Sequence, residues 1–490
     1  MLSEKCGLLA FYGKNNNKIF IKNFITRLEK LQHRGRDSVG ICYLDDNKEY
    51  QTFYEKGTVN EIFFENPSKE IKKILHIRTK LILGHLRYAT SNTDDKNLIQ
   101  PLTNKHERIS IAHNGNIPNA MLKYIIKKIK NEYFNFEVNS NSLHDTNVFF
   151  EYVRQYNRTL NRFEAHLVDS YKYFNGSYNF IVLYNENLYI LRDKNAYRPI
   201  CYGKDINDNI LVSSESVSFL DDYKYIDDLP HSETLTIQDQ EFISLHTNQI
   251  IKSNKLPISQ KYKNSNCVFE YIYFMNNNSI IKSNENRHLQ ISVNDYRIDS
   301  GKELALQEKK NNYFDNFNKE EILVVGSPNT AIPGAQAYAQ SLSYMYQQVL
   351  KKRLNTGRTF IVSNNDERNK YFKKFILDSE AIKDKIIIFV DDSIVRGNTI
   401  KSICHLFKTN GAKEIHIRVL SPPVKNPCYY GIHIPTREEL LINRKNQDEI
   451  VKDFNLDSIM YLDLKSLDTI FGEDICKACF DNNYNPDILF

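Results

Sequence analysis

Two adjacent carboxylates, Asp391 and Asp392, follow the apolar run Ile386–Val390 and precede Ser393, Gly397, Asn398 and Thr399. The run is short and rich in β-branched residues, the composition of a strand buried on both faces of a parallel sheet. A small polar loop at the carboxyl end of such a strand, leading into a helix, suits phosphate, because free backbone N–H groups and the helix dipole both favour an anion. The carboxylates do not serve the phosphate itself. They suit ribose hydroxyls, which need acceptors, and a hard Mg²⁺ held jointly with a pyrophosphate. An acid pair after an apolar run, taken alone, equally describes an ordinary buried strand and a charged loop.

Cys6 offers a different chemistry. It opens the apolar run Cys6–Ala10, and removal of Met1–Lys5 would leave its α-amino group beside its own thiol. An α-amine has a pKa of about 7.7–8.0 and can serve as the base for that nucleophile. A cysteine so placed is otherwise a core or spare thiol.

The elements that must carry these groups are legible only coarsely. Ile386–Val390 reads as a strand and Ile400–Thr409 as an amphipathic helix, with the polar loop between them. Alternating apolar residues with Asn and Gly turns through Phe174–Gly203 and Leu211–Phe219 suggest an antiparallel, β-rich layer. The chain has 490 residues, 41% apolar and 26% charged, which fits a soluble globular protein of two or three domains. A formal net charge of +5 over that length argues for neither a nucleic-acid nor a membrane surface. No apolar span of about 20 residues is present, and MLSEK has neither signal-peptide nor transit character, so a cytoplasmic protein is expected. Eight cysteines over this length are not a secreted disulfide framework, which leaves metal or catalytic use open.

Four segments resemble the N-terminal-nucleophile glutamine amidotransferases: LQHRGRDSVGI (31–41), GHLRYAT (84–90), AHNGNIPN (112–119) and HDTN (144–147). The resemblance implies Cys6 as nucleophile and a glutamine site. Asn114 and Gly115 would supply oxyanion donors from a tight Asn-Gly turn. Arg87 would pair the substrate α-carboxylate, Thr90 would add a hydroxyl, and Asp145 would hold the α-ammonium. Arg34 would brace the site.

VDDSIVRGNT resembles the phosphoribosyltransferase signature, and from Cys267 the text CVFEYIYF resembles the start of the second domain of the glutamine phosphoribosylpyrophosphate (PRPP) amidotransferase family. The likeness covers nearly the whole chain. It implies a two-domain α+β and α/β protein: a four-layer αββα glutaminase at 6–262 after a propeptide at 1–5, then a type I phosphoribosyltransferase domain with a mainly parallel sheet at 263–490. The PRPP site would use Lys352, Arg353, Arg358, Asp391, Asp392, Ser393, Gly397, Asn398 and Thr399, with Mg²⁺ at Thr330, Asp391 and Asp392. Lys352, Arg353 and Arg358 read otherwise as a solvated basic loop. In one branch of the family four cysteines bind a [4Fe–4S] cluster, and the matching positions here are Cys267, Cys428, Cys476 and Cys479. Cys42, Cys201 and Cys404 lie in apolar segments as bystanders. Glutamine and PRPP as substrates, purine nucleotides as feedback inhibitors and a homotetramer are implied in the same way.

The chain departs from the family pattern at Asn329 and Asn398, and at Met275–Asn278, where the family carries Arg-Pro-Asp. Two competing readings are another glutamine-dependent amidotransferase, which VDDSIVRGNT argues against, and a catalytically quiet PRPP or nucleotide sensor, which the complete glutaminase constellation argues against.

Overall fold

The computed structural model describes residues 6–87, 99–138, 143–156, 162–229, 265–283, 289–352, 375–432, 434 and 436–488, with backbone alone for 233–238 and 241–246. The expected propeptide, the expected boundary at 262/263, and Thr90, Arg353 and Arg358 lie outside the described residues.

The strand Gly7–Tyr12 shows how the first half is layered. Its residues point alternately to opposite faces, and all six are buried. Leu8 and Ala10 join Leu83, Ala112, Ile181 and Ile190 in a core between two sheets. Leu9 and Phe11 face the other way, onto Phe24, Ile25 and Leu28 of the helix Ile21–Glu29. The first sheet has seven strands in the order Lys224–Asp228, Cys201–Lys204, Ile210–Ser213, Gly7–Tyr12, Leu81–Arg87, Ser38–Leu44 and Tyr50–Lys56. The second has six, with Ser177–Tyr184 near its centre flanked by Asn187–Arg192 and Ile109–Asn116. Its outer face packs on the helices Asn119–Glu132 and Asp145–Arg154, where Phe149 stacks on Phe180 at 3.8 Å. Helix, sheet, sheet, helix is the expected four-layer order. Among the described residues every strand pairing within the two sheets is antiparallel.

The second half is built on a five-stranded parallel sheet in the order Met345–Tyr346, Ile322–Gly326, Ile386–Asp391, Glu414–Val419, Ser458–Tyr461. Ile386, Ile388 and Val390 face the helices Val293–Asn311 and Ile332–Leu342, while Ile387 and Phe389 face Asn398–Thr409 and Gln447–Phe454. That double burial is why the strand reads as an unbroken apolar run. Asp391 is its last residue.

Two local expectations are corrected. The helix after the acid pair starts at Asn398 instead of Ile400. Its N-cap, Gly397, has φ +83°, and a Cβ there would lie 2.8 Å from Leu441 and 2.9 Å from Phe454, so glycine alone lets the chain enter the helix this tightly. Asn114 and Gly115 form no turn. They continue the strand Ile109–Asn116, opposite Asn179 and Tyr178. Gly115 has φ +154°, and a Cβ would sit 2.1 Å from the Ser177 carbonyl oxygen. The Asn-Gly pair thus permits close strand approach where hairpin chemistry suggested a reversal.

No helix among the described residues is long and apolar enough to cross a membrane.

Candidate active site

Cys6 immediately precedes the strand Gly7–Tyr12 and is half-buried, and its carbonyl oxygen accepts a hydrogen bond from Arg34 Nε at 3.2 Å. Arg34 is wholly buried. Its guanidinium also donates to Glu215 and, through both Nη atoms at 3.2 and 3.0 Å, to Glu270. Arg198 reaches Glu270 at 3.0 Å, and His33 reaches Glu215 at 2.8 Å. Glu270 belongs to the second half, so the brace expected of Arg34 spans the two halves.

Burial works against ionisation of Glu215, but His33 and Arg34 hold its carboxyl well below the usual range. A carboxylate with a depressed folded-state pKa adds stability above its unfolded value, and that contribution is lost as pH falls below it. Glu215→Gln leaves Arg34 half-paired in the interior, so we expect a loss of about 3–5 kcal/mol. Thermal midpoints between pH 7 and pH 3 check both points: the midpoint of the variant is lower at pH 7 and falls less steeply below about pH 5, where the unfolded carboxyl begins to take up its proton.

Of the expected glutamine-site residues, Arg87 follows Leu86, which pairs with Gly7 next to Cys6, and Asp145 lies against the end of the strand that carries Asn114 and Gly115. Arg87 ends the strand Leu81–Arg87, opposite Ser38, and its carbonyl accepts from Asp37 N at 3.0 Å. Asn114 is 1% exposed, and its Nδ2 has no hydrogen-bond partner among the described residues. A buried amide donor without an acceptor is the arrangement an oxyanion completes. Asp145 opens the helix Asp145–Arg154 and accepts from Ile117 N at 3.2 Å and Thr146 N at 2.8 Å, with His144 Nδ1 at 3.1 Å and His113 Nδ1 at 3.4 Å. Burial disfavours its charge, yet the two histidines and these donors hold its carboxyl well below the ordinary range.

The acid pair lines a cavity of about 200 Å³ with Tyr273, Ser327, Thr330, Lys352, Ser393 and the loop through Ile400. Both carboxylates are buried, at 7% and 5% exposure. Ser393 Oγ donates to Asp392 at 2.7 Å, Thr330 Oγ1 donates to its other oxygen, and Asp392 N donates to Asp391 at 3.0 Å. Burial and the neighbouring Asp392 push Asp391 up to about 8, and burial also raises Asp392. Two carboxylates raised this way favour a cation between them. The first N–H groups of the helix Asn398–Thr409 have no helical acceptor, and the helix starts in the loop that lines the cavity, so carboxylate acceptors and backbone amide donors adjoin there.

The four candidate cluster cysteines come together from three places in the chain. Cys267 pairs with Cys476 in a two-residue parallel ladder, and the Cys479 carbonyl accepts from Lys425 N and Asn426 N at 3.0 Å. Cys428 Sγ accepts from Tyr430 N at 3.3 Å. Burial, then the nearby Cys428, pushes Cys267 up to about 12, and Cys479 is raised by burial and by all three other thiols. The same segment touches the first half: Asn116 Nδ2 donates to the Tyr429 carbonyl at 3.0 Å, and Tyr430 stacks on Tyr197 at 4.2 Å. Cys42, Cys201 and Cys404 are buried in hydrophobic cores.

Residues 72–261 match the glutamine amidotransferase domain family, and 297–452 match the phosphoribosyl transferase domain family. The amidophosphoribosyltransferase of Homo sapiens is 32% identical over 97% of this chain and 90% of its own length. The chain belongs to the amidophosphoribosyltransferase family. The amidophosphoribosyltransferase of Methanothermobacter thermautotrophicus is 29% identical over 98% of this chain and 94% of its own. Among solved structures, the glutamine PRPP amidotransferase from B. subtilis complexed with ADP and GMP aligns with a TM-score of 0.80 at 26% identity, covering 99% of both chains. An amidophosphoribosyltransferase is a glycosyltransferase joined to a glutamine amidotransferase, and the two halves described above are those two parts.

Sequence reasoning missed Arg198, Glu215, Glu270 and Arg297. Glu215 and Glu270 carried one signal, charge inside the otherwise apolar or small-residue segments LVSSESVSF and CVFEYIYF, whereas Arg198 and Arg297, in NAYRPI and NDYRIDS, carried none.

Proposed function

We propose that this amidophosphoribosyltransferase releases ammonia from glutamine at Cys6 and passes it to PRPP at Asp391 and Asp392, giving 5-phosphoribosylamine, glutamate and pyrophosphate in the first step of purine synthesis. The observation that carries this reading is the buried seam between the two sites, where Arg34 joins the Cys6 carbonyl to Glu270 and Tyr273, three residues on, lines the acid-pair cavity.

Cys6, freed by loss of residues 1–5, gives its thiol proton to its own α-amine and attacks the glutamine carboxamide. Asn114 Nδ2 and the Gly115 N–H receive the oxyanion, and collapse to a γ-glutamyl thioester expels ammonia, after which water releases glutamate. Arg87 and Thr90 bind the α-carboxylate and Asp145 the α-ammonium. In the second site Lys352, Arg353 and Arg358 meet the pyrophosphate, while Ser393, Gly397, Asn398 and Thr399 meet the 5-phosphate. Asp391 and Asp392 accept from the ribose hydroxyls as the anomeric carbon loses pyrophosphate and ammonia bonds to it. Ammonia released into water would be protonated near pH 7, so transfer inside the protein keeps it nucleophilic.

Thr330, Asp391 and Asp392 fit a Mg²⁺ ion, being hard oxygen donors beside the anion site; when bound it offsets leaving-group charge. Cys267, Cys428, Cys476 and Cys479 fit a [4Fe–4S] cluster. Among the described residues no three His, Cys, Asp or Glu are arranged to hold a single metal ion, whereas the four thiols sense one another's charge. A cluster held there would take the thiolates as ligands and would fasten the tail to the second half. Purine nucleotides, as in the B. subtilis complex with ADP and GMP, compete as feedback ligands.

The test uses protein purified without oxygen, with N-terminal mass, iron content and glutamine hydrolysis measured with and without PRPP and Mg²⁺. A chain starting at Cys6 whose glutaminase rises with PRPP is expected. Processed, iron-loaded protein that binds PRPP but hydrolyses no glutamine would favour the sensor reading instead.

A further inference from the structure

We propose that Arg297 is a positioning residue that couples occupation of the acid-pair cavity to Cys6, acting through the π-helical turn Glu270–Phe274 and the Met275–Asn278 segment behind it. This presupposes the two-site reaction above and names the route between the sites.

Arg297 lies in the helix Val293–Asn311 and is 3% exposed. Among the described residues its guanidinium hydrogen bonds all go to the turn and its extension: Nε donates to the Tyr271 carbonyl at 2.9 Å, Nη2 to the Met275 carbonyl at 2.9 Å, and Nη1 to Asn277 Oδ1. The next links run to the nucleophile. Asn276 N donates to Glu215 Oε2 at 2.8 Å and Ser279 Oγ donates to the same oxygen at 2.7 Å. Glu215 Oε1 accepts from Arg34, which holds the Cys6 carbonyl. A second branch is shorter, since Glu270, the first residue of the turn, takes both Nη atoms of Arg34.

The other end of the route is the acid pair. Tyr273, in the middle of the turn, lines its cavity. Burial lowers Arg297 to about 10, against the opposing pull of Asp392 and Glu215, so the guanidinium lies within the electric reach of one carboxylate from each site. Water does not screen it there. A cation and a polyanion arriving at Asp392 change the field on Arg297, and its three acceptors all belong to one short segment.

That segment is suited to two arrangements. A π turn is one hydrogen-bond register away from an α turn and recurs at functional sites. A register change would move Glu270 relative to Arg34, and Arg34 relative to the Cys6 carbonyl. The Met275–Asn278 stretch, where the chain departs from the family's Arg-Pro-Asp, supplies the Asn277 and Asn276 contacts of this route.

Arg297→Lys keeps the charge and removes the three-pronged clasp; Asn277→Ala removes one prong and leaves the core intact. Each is compared with the unaltered processed protein by the ratio of glutamine hydrolysis with and without PRPP·Mg²⁺, by ammonia-dependent synthesis at saturating PRPP, and by thermal midpoint. We expect the stimulation ratio to fall by about fivefold or more in both variants, with ammonia-dependent synthesis much less affected. An unchanged ratio in folded variants overturns the route, and so does a parallel fall of ratio and ammonia-dependent rate, which marks a structural role alone. If Arg297→Lys does not fold, Asn277→Ala decides. An unaltered protein whose glutaminase ignores PRPP refutes the two-site reaction itself and the coupling with it. Stimulated hydrolysis in the unaltered protein with unaffected variants refutes only the route.

Discussion

Exchange of Cys6 for serine lowers glutamine-dependent formation of phosphoribosylamine by about 10³-fold or more and leaves the ammonia-dependent reaction intact. An α-amine with a pKa of about 7.7–8.0 is matched to a thiol near 8.5 and badly mismatched to a hydroxyl, which stays protonated in its presence. The exchange replaces one atom by a smaller one at a half-buried position and leaves the carbonyl contact with Arg34 untouched, so the seam between the halves persists. Both rates are measured on the same preparation, with ammonium chloride replacing glutamine in the second. A serine variant that keeps more than a tenth of the glutamine-dependent rate would remove Cys6 from the mechanism.

The complementary change, Asp391→Asn with Asp392→Asn, stops synthesis from either nitrogen source, with an expected loss of about 10³-fold or more. Here the argument is electrostatic. Each carboxylate is buried and raised by burial, with Asp392 adding to the rise of Asp391, so the pair is poised to gain a cation and to accept hydroxyl protons. Two amides present the same shape without the charge. One of Ser393 and Thr330 can still donate to the oxygen that Asn keeps at position 392, the other hydroxyl can accept from its amide, and the fold should survive. Basal glutamine hydrolysis should survive as well, while its response to PRPP disappears. Ammonia-dependent synthesis retained in the double variant would be fatal to the assigned role of the acid pair.

Legibility followed the range of the interaction. The strand Ile386–Asp391 could be read because burial on both faces leaves a continuous apolar run, and its loop because Ser393, Gly397, Asn398 and Thr399 are small and polar. Asn114-Gly115 was misread because the same dipeptide serves a hairpin and a close strand crossing, and only the partner strand at Ser177 and Tyr178 distinguishes them. Helix entry at Asn398 was placed two residues late because polar loop residues and a first helical turn have the same composition. The buried charge cluster was invisible for a different reason. Arg34 finds Glu215 and Glu270 at separations of 181 and 236 positions, and no local pattern encodes such partners. The gathering of Cys267, Cys428, Cys476 and Cys479 came from family likeness alone.

The ladder joining Cys267 to Cys476 has a kinetic and entropic meaning. The two positions are 209 apart (476 minus 267), so closing that loop in an unfolded chain costs about 5 kcal/mol by the logarithmic length dependence. A two-residue ladder has little enthalpy to set against such a loss. Its persistence must come from neighbours that close the same circuit, such as the Cys479 carbonyl between Lys425 and Asn426 and the stacked tyrosines beside Cys428. A ligand shared by the four thiols would turn this circuit into a cross-link, acting on the unfolded ensemble as a disulfide does in a secreted protein.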